Sequence, residues 1–372
     1  PAFFLWALDA KTGRPLENWG TAVPLDGFPD SGGLDLIPPL VADWGRWQDR
    51  SASYDANYGI PRELGMVTAS APPIVVNGVV VVLVGHQPSY GQTRIENVPG
   101  DIMGFDAATG AFKWKFHVIP RPGEFGHETW ENDAWQWSGD LSSWAPASAD
   151  PELGLVYIVT NASTVQTYAG HRPGHNLFGG SLLALDVQTG ERRWHFQIHH
   201  SDQWNYDLPA APILMDLTVD GEEIPAVIQN TKQGLVFAFN RETGEPIWPI
   251  EERAVITSPA IPGEVPAPTQ PFPTKPAAFD YQGVSVDDLV DFTPEILEMA
   301  LEAVINFRLG PLFTAPTLAE QGGTQGTLFR PTGGGAASWT GAAVDPETGM
   351  LYVPSNNNLG VIHYYTPDPA LG

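Results

Sequence analysis

The amino-acid sequence predicts an all-β fold of the propeller type, in which small antiparallel sheets of tryptophan-bearing strands stack side by side. One observation is a recurring turn. An apolar strand followed by Asp or Asn, two residues and Thr-Gly occurs at Leu8-Asp9…Thr12-Gly13, Phe105-Asp106…Thr109-Gly110, Leu185-Asp186…Thr189-Gly190 and Phe239-Asn240…Thr243-Gly244. In the last three a Trp follows on the outgoing strand, at Trp114, Trp194 and Trp248. A second observation is a longer repeat. The segment Trp144 to Tyr157 matches Trp339 to Tyr352 without a gap at a constant offset of 195, sharing Trp, Asp-Pro-Glu, Gly and Tyr and carrying Asn161 onto Asn356. The third is composition: 39 Gly and 36 Pro supply turns, 42% hydrophobic residues supply a core, and helix-favouring sequence occurs in one place.

The physics of the short repeat is that of a hairpin. Asp or Asn caps the turn by accepting nearby backbone N–H groups, Gly takes the positive-φ position, and alternating strands flank it. The Trp then lies where it can pack against a neighbouring unit. A small sheet buries both faces only by stacking on others, so such units come in rings.

In chain order, Phe3 to Leu8 reads as a strand, and Pro72 to Val82 as strand–turn–strand about Asn77-Gly78. Uneven spacing of the repeats places large insertions outside the blades. One such insertion spans 257–308. Its Pro-rich part, Thr257 to Phe279, is expected to be extended. A helix then starts at N-cap Thr293 with Pro294 in its first position and runs to about Arg308, packing outside the ring. Residues 1–372 read as one domain.

A net charge of −25 argues against a nucleic-acid partner, which needs clustered Lys and Arg, and against docking on anionic lipid. It reads as surface solvation. The absence of cysteine excludes disulfides, thiolate metal sites and a cysteine nucleophile. No apolar run reaches the length of a membrane span; Pro72 to Gly85 is too short and contains a turn.

Several segments between the repeats carry a family resemblance. They are Gly100 to Asp106, His117 to Gly126, Thr129 to Asp133, Ser143 to Ala147, Tyr206 to Pro212, Thr231 to Gly234 and Thr269 to Lys275. With these the sequence resembles the pyrroloquinoline quinone (PQQ)-dependent dehydrogenases, closest to the glucose and quinate dehydrogenase branch, over nearly the whole chain. The resemblance implies an eight-bladed propeller of four-stranded blades with PQQ and Ca2+, or another divalent cation, on its axis. Family members extend further at both ends, so it also implies an incomplete ring. The implied reaction is oxidation of a sugar, polyol or alcohol hydroxyl, with electrons passing to a quinone or cytochrome. The implied location is the periplasm, with anchoring by a preceding segment left open.

PQQ is a flat, anionic ortho-quinone. Its site needs an aromatic floor, a cation for its anionic oxygens, a Lewis acid and a proton acceptor for the substrate hydroxyl. Trp144 matches the stacking Trp, although blade packing is the competing reading, favoured for Trp339. Lys232, in Thr-Lys-Gln-Gly, matches the Lys that contacts the quinone oxygens; a solvated turn is its alternative. Thr160 and Asn161 fall at a turn where the family places cofactor contacts and, in some branches, a metal-ligating Asn; a plain turn asparagine is equally open.

The segment His199 to Asp207 matches the family's His…Trp-Asp-x-Asp, in which the Asp after Trp is the catalytic base. Here that position is Asn205, whose amide accepts no proton near neutral pH. Asp207 matches the second Asp, a metal ligand in some members, and Asp202 is a second nearby carboxylate able to stand in as base. Gly333 departs from the Asn common in the branch. Adjacent His199 and His200 face opposite sides of a strand and so do not share an ion. The rival reading is a non-catalytic propeller scaffold that has lost its base at Asn205.

Overall fold

The computed structural model describes residues 4–23, 25–43, 67–68, 71–86, 99–164, 166–258, 261–320 and 322–366; Phe3 and Pro259 lie outside them. The described residues form an all-β, propeller-type arrangement with few helices. Two sheets have four antiparallel strands in simple up-and-down order. The first comprises Ile74–Val76, Val79–Val82, Ile102–Asp106 and Phe112–Phe116. The second comprises Ser148–Asp150, Leu155–Val159, Ser181–Asp186 and Arg192–Gln197. A third has the strands Ile213–Val219, Glu222–Asn230 and Val236–Asn240, with a bridge from Phe239 to Pro246 where a fourth would run.

Each recurring turn forms as the sequence predicts. The side-chain oxygen of Asp9, Asp106, Asp186 and Asn240 accepts the backbone N–H groups two and three residues on. The long repeat is also structural. Ala343–Asp345 pairs with Met350–Tyr352 in the register that Ser148–Asp150 keeps with Leu155–Val159. Asn77 and Gly78 both adopt positive φ, as a two-residue hairpin turn requires.

The tryptophans join one unit to the next. Trp19 Nε1 donates to Ala107 O at 3.0 Å, Trp114 Nε1 to Val187 O at 2.9 Å and Trp194 Nε1 to Arg241 O at 3.1 Å. Each acceptor directly follows the capping Asp or Asn of the next unit's turn. The indoles also cover the turn glycines, so a Cβ at Gly190 or Gly244 would lie 2.5 Å from Trp114 or 2.6 Å from Trp194. Trp19 plays this role although it falls outside the spacing that marks Trp114 and Trp194. Trp339 does not pack: it is 68% exposed, unlike its half-buried counterpart Trp144.

The core follows the stacking. Val79–Val82 and Leu155–Val159 are wholly buried, and Tyr157, Trp194, Phe237 and Phe239 fuse the second and third sheets. In the insertion, Thr269–Pro273 is extended and pairs with Ile250–Ala254. The helix is Pro294–Val304, with Thr293 Oγ1 accepting the N–H of Ile296. It stops short of Arg308 because the Arg308 backbone N–H bonds to Gly326 O and its residue bridges to Thr327. The helix is largely exposed, with only Leu297, Ala300 and Val304 partly buried. Among the described residues no helix is long and apolar enough to cross a membrane.

Candidate functional site

The loop after Arg192–Gln197 is built around one carboxylate. Asp202 is buried, and its two oxygens accept the backbone N–H groups of Trp204 at 2.9 Å and Tyr206 at 2.8 Å. Buried Arg172 donates to the Asp202 carbonyl at 2.6 Å, and His199 Nε2 lies 3.5 Å from its carboxylate. Trp204 and Tyr206 are anchored in turn, donating to Thr314 O at 2.9 Å and Pro331 O at 2.6 Å. The intervening Asn205 takes a left-handed φ of 60°. Asp202 is thus occupied in shaping the loop rather than standing free beside the other candidates.

Burial opposes the Asp202 charge, but His199, the Trp204 amide and Arg172 outweigh it and hold the carboxyl below its ordinary value. A carboxyl lowered in the folded state contributes stability above the unfolded value and loses it as pH falls through the folded one. Asp202→Asn is therefore expected to cost about 1–3 kcal/mol near neutrality. The difference from the parent should shrink towards about pH 3 in urea unfolding followed at several pH values.

Four of the residues singled out in the sequence meet directly. Lys232 follows the strand Glu222–Asn230, in a turn that closes through Gly234 N–H to Thr231 O. Its ammonium donates to Asp207 Oδ1 at 2.5 Å and to Asn205 O at 3.0 Å, and lies 5.8 Å from the Trp144 ring centre. Trp144 Nε1 donates to the other Asp207 oxygen. The Lys232 and Asp207 side chains are only 5% and 4% exposed, so this ion pair is held largely out of water. Gly335, with φ of 81°, presses on the Lys232 stem so closely that a Cβ would lie 2.5 Å from Cγ. A Cβ on Gly333 would lie 3.5 Å from that of Asn205, which places the Pro331–Gly335 segment against the same cluster.

Thr160 and Asn161 form a separate group at the end of Leu155–Val159. The Thr160 hydroxyl is used structurally: it donates to Phe178 O and accepts the Ser181 N–H at 2.9 Å. Asn161 N–H bonds to Ser142 O, two residues before Trp144, and its Nδ2 reaches Asp140 Oδ1 at 3.4 Å. Asp140, which no sequence motif marks, also accepts the Ser142 N–H and hydroxyl. His199 and His200 do face different partners: His199 meets Asp202 and Gln233, and His200 meets Gln197 and Glu252.

Asn161 Oδ1 and Asn205 Oδ1 are among the buried amide oxygens that have no hydrogen-bond partner. Amide and carboxylate oxygens are the donors that a hard divalent cation such as Ca2+ takes. A half-buried indole beside a buried ammonium suits a flat anion. The residues therefore fit a PQQ-type cofactor with its cation.

The comparisons with known proteins agree. The model of the PQQ glucose/ethanol/alcohol dehydrogenase β-propeller domain matches residues 2–370. The chain is 36% identical to the glycerol dehydrogenase large subunit of Gluconobacter oxydans (strain 621H), over 77% of this chain and 37% of that protein. It is 32% identical to the quinoprotein glucose dehydrogenase of Escherichia coli (strain K12), over 76% of this chain and 34% of that protein. It thus spans little more than a third of the length of these curated relatives. The fold is similar to that of the quinohemoprotein alcohol dehydrogenase ADHIIG from Pseudomonas putida HK5, with a TM-score of 0.59 at 23% identity, covering 96% of this chain and 41% of that one.

Proposed function

The chain belongs to the family of PQQ glucose/ethanol/alcohol dehydrogenase β-propeller domains, and from that premise we propose that it forms the cofactor-binding part of a dehydrogenase oxidising a sugar, polyol or alcohol hydroxyl. The observation that carries this reading is the buried contact of Trp144, Asp207, Lys232 and Asn205. When bound, PQQ supplies the acceptor for the hydride leaving the substrate carbon, with a divalent cation polarising the reacting carbonyl.

The chain's own residues do the rest. The Trp144 ring is the floor for the flat cofactor. The Lys232 ammonium holds anionic oxygen, with Asp207 and Asn205 O fixing its position. The oxygens of Asp207 and Asn205 in this cluster are candidate cation ligands, and that of Asn161, in the separate group beside Ser142, is a further one. Asp207 is also the carboxylate nearest to hand for the substrate hydroxyl proton. In this reading the chain contributes part of an eight-bladed ring, electrons pass to a quinone or cytochrome, and the protein works in the periplasm. A second reading, a propeller scaffold without turnover, is favoured by Asn205 at the position of the expected base.

Equilibrium dialysis of the chain against PQQ with Ca2+ tests the cofactor reading. Saturable binding of one PQQ per chain is expected, weakened about tenfold or more in Trp144→Ala, which removes the aromatic platform. Failure of the parent chain to bind PQQ saturably would sink the proposal.

A further inference from the structure

A second group of charged side chains lies at the end of the first sheet, where Ile102–Asp106 begins and Phe112–Phe116 finishes. Asp101 precedes the former strand and His117 follows the latter, and Asp43 approaches from the N-terminal part of the chain. Ligand atoms from Asp43, Asp101 and His117 all lie within 4.8 Å of one another. None of these residues belongs to the Trp144–Lys232 cluster. The two groups are nevertheless neighbours along the fold, because Gly100, next to Asp101, packs against Ser142, two residues from Trp144.

We propose that Asp43, Asp101 and His117 bind a divalent first-row transition cation such as Zn2+, separately from the quinone site. Two independent features point to a cation there. The first is an oxygen with nothing to bond. Asp101 is fully buried; its Oδ1 accepts the Val118 N–H at 3.0 Å, while Oδ2 is buried without a hydrogen-bond partner. Leaving a buried carboxylate oxygen unpaired is costly, and this carboxylate lies beside two further groups able to ligate a cation.

The second feature is the way the imidazole is held. Glu124 Oε1 lies 2.8 Å from His117 Nδ1, and Nε2 faces Asp43 Oδ2 at 2.5 Å. Glu124 is itself fixed, since its Oε2 accepts the Arg121 N–H at 2.7 Å. A carboxylate on one ring nitrogen sets the tautomer that leaves the other free to ligate, as in carboxylate–histidine–metal triads. Lys115 pins the opposite wall: its ammonium contacts Asp43 Oδ1 at 2.5 Å and Pro39 O at 3.0 Å, leaving Oδ2 for the ion.

One nitrogen and two carboxylate oxygens form a mixed set that suits Zn2+ or Mn2+ better than Ca2+, which prefers six to eight oxygens. Ligand atoms around a tetrahedral zinc sit about 3.3 Å apart. Asp43, 39% exposed at the edge of the group, must therefore open slightly from His117, with its Lys115 contact adjusting to the shift. The fourth position is left to water.

Without a cation, the same residues would be only an ion-pair network in which His117 bridges Asp43 and Glu124. The two cases separate on titrating chelator-treated protein with Zn2+ against a chromophoric competitor. One tightly held Zn2+ per chain is expected, weakened at least 100-fold in Asp101→Asn and His117→Ala and about 10- to 100-fold in Glu124→Gln, where the tautomer is released. Asp43→Asn, at the exposed edge, serves if the buried variants do not fold, and should lose affinity likewise. Asp207→Asn, in the other cluster, should keep the site. Absence of stoichiometric Zn2+ binding by the parent, or equal binding by folded His117→Ala and Asp43→Asn variants, overturns the proposal in favour of the ion-pair network.

Discussion

Lys232→Met is expected to lower the unfolding free energy by about 3–5 kcal/mol in urea denaturation, because it strands a buried charge. Asp207 would keep the Trp144 N–H on one oxygen but lose the ammonium from the other, and Asn205 O would lose its donor as well. With the Asp207 side chain only 4% exposed, water cannot replace what is removed. Changing both partners tells a different story. Lys232→Met with Asp207→Leu substitutes an apolar pair of similar volume, and such replacements are often neutral. The double variant should therefore recover most of the loss, giving a coupling energy of several kcal/mol between the two positions. A single-variant cost under about 1 kcal/mol would mean that the pair behaves like an exposed one.

Asn205→Asp is expected to raise dye-linked turnover of the PQQ- and Ca2+-loaded chain by about 10²–10⁴-fold, the usual contribution of a general base. The amide at this position cannot take the substrate proton, and its Oδ1 already lies buried without a hydrogen-bond partner. A carboxylate there would gain the neighbouring Lys232 ammonium, which contacts the Asn205 main chain. It would also add a charge to the set from which cation ligands are drawn. Parent and variant turning over equally would instead assign the proton to Asp207. Turnover by neither, with PQQ bound by both, would favour the scaffold reading.

What could be read in advance depended on whether a residue repeats or stands alone. The capping Asp and Asn residues and their glycines recur at fixed spacing, so their hairpins were legible; so was the pairing of Ala343–Asp345 with Met350–Tyr352. Trp144, Lys232, Asn205 and Asp207 stood out because each sits in a short segment with a family pattern, and all four meet. Arg172 and Asp140 carried no such mark. They lie in irregular loops, and their importance comes from burial and from partners 20 or more residues away, Asp202 and Asn161. Asp101 and His117 do lie in segments with a family pattern, but nothing in the sequence pairs them; they share a corner because two strands run antiparallel. Trp339 misled in the other direction: the repeat put it level with Trp144, but a packed environment is a property of the neighbours, not of the hairpin.

The chain of indole contacts from Trp19 to Ala107, Trp114 to Val187 and Trp194 to Arg241 makes each sheet answer chiefly to the one beside it. Stability in such a row is close to a sum of unit and interface terms, as in a one-dimensional lattice. Damage at one indole would loosen its own boundary first and spread only as far as the adjoining interfaces permit. A site assembled from the second and third sheets, as Trp144 and Lys232 are, therefore depends most on the boundary that Trp194 seals. Distant units can be altered with less effect on the geometry of the cofactor cluster.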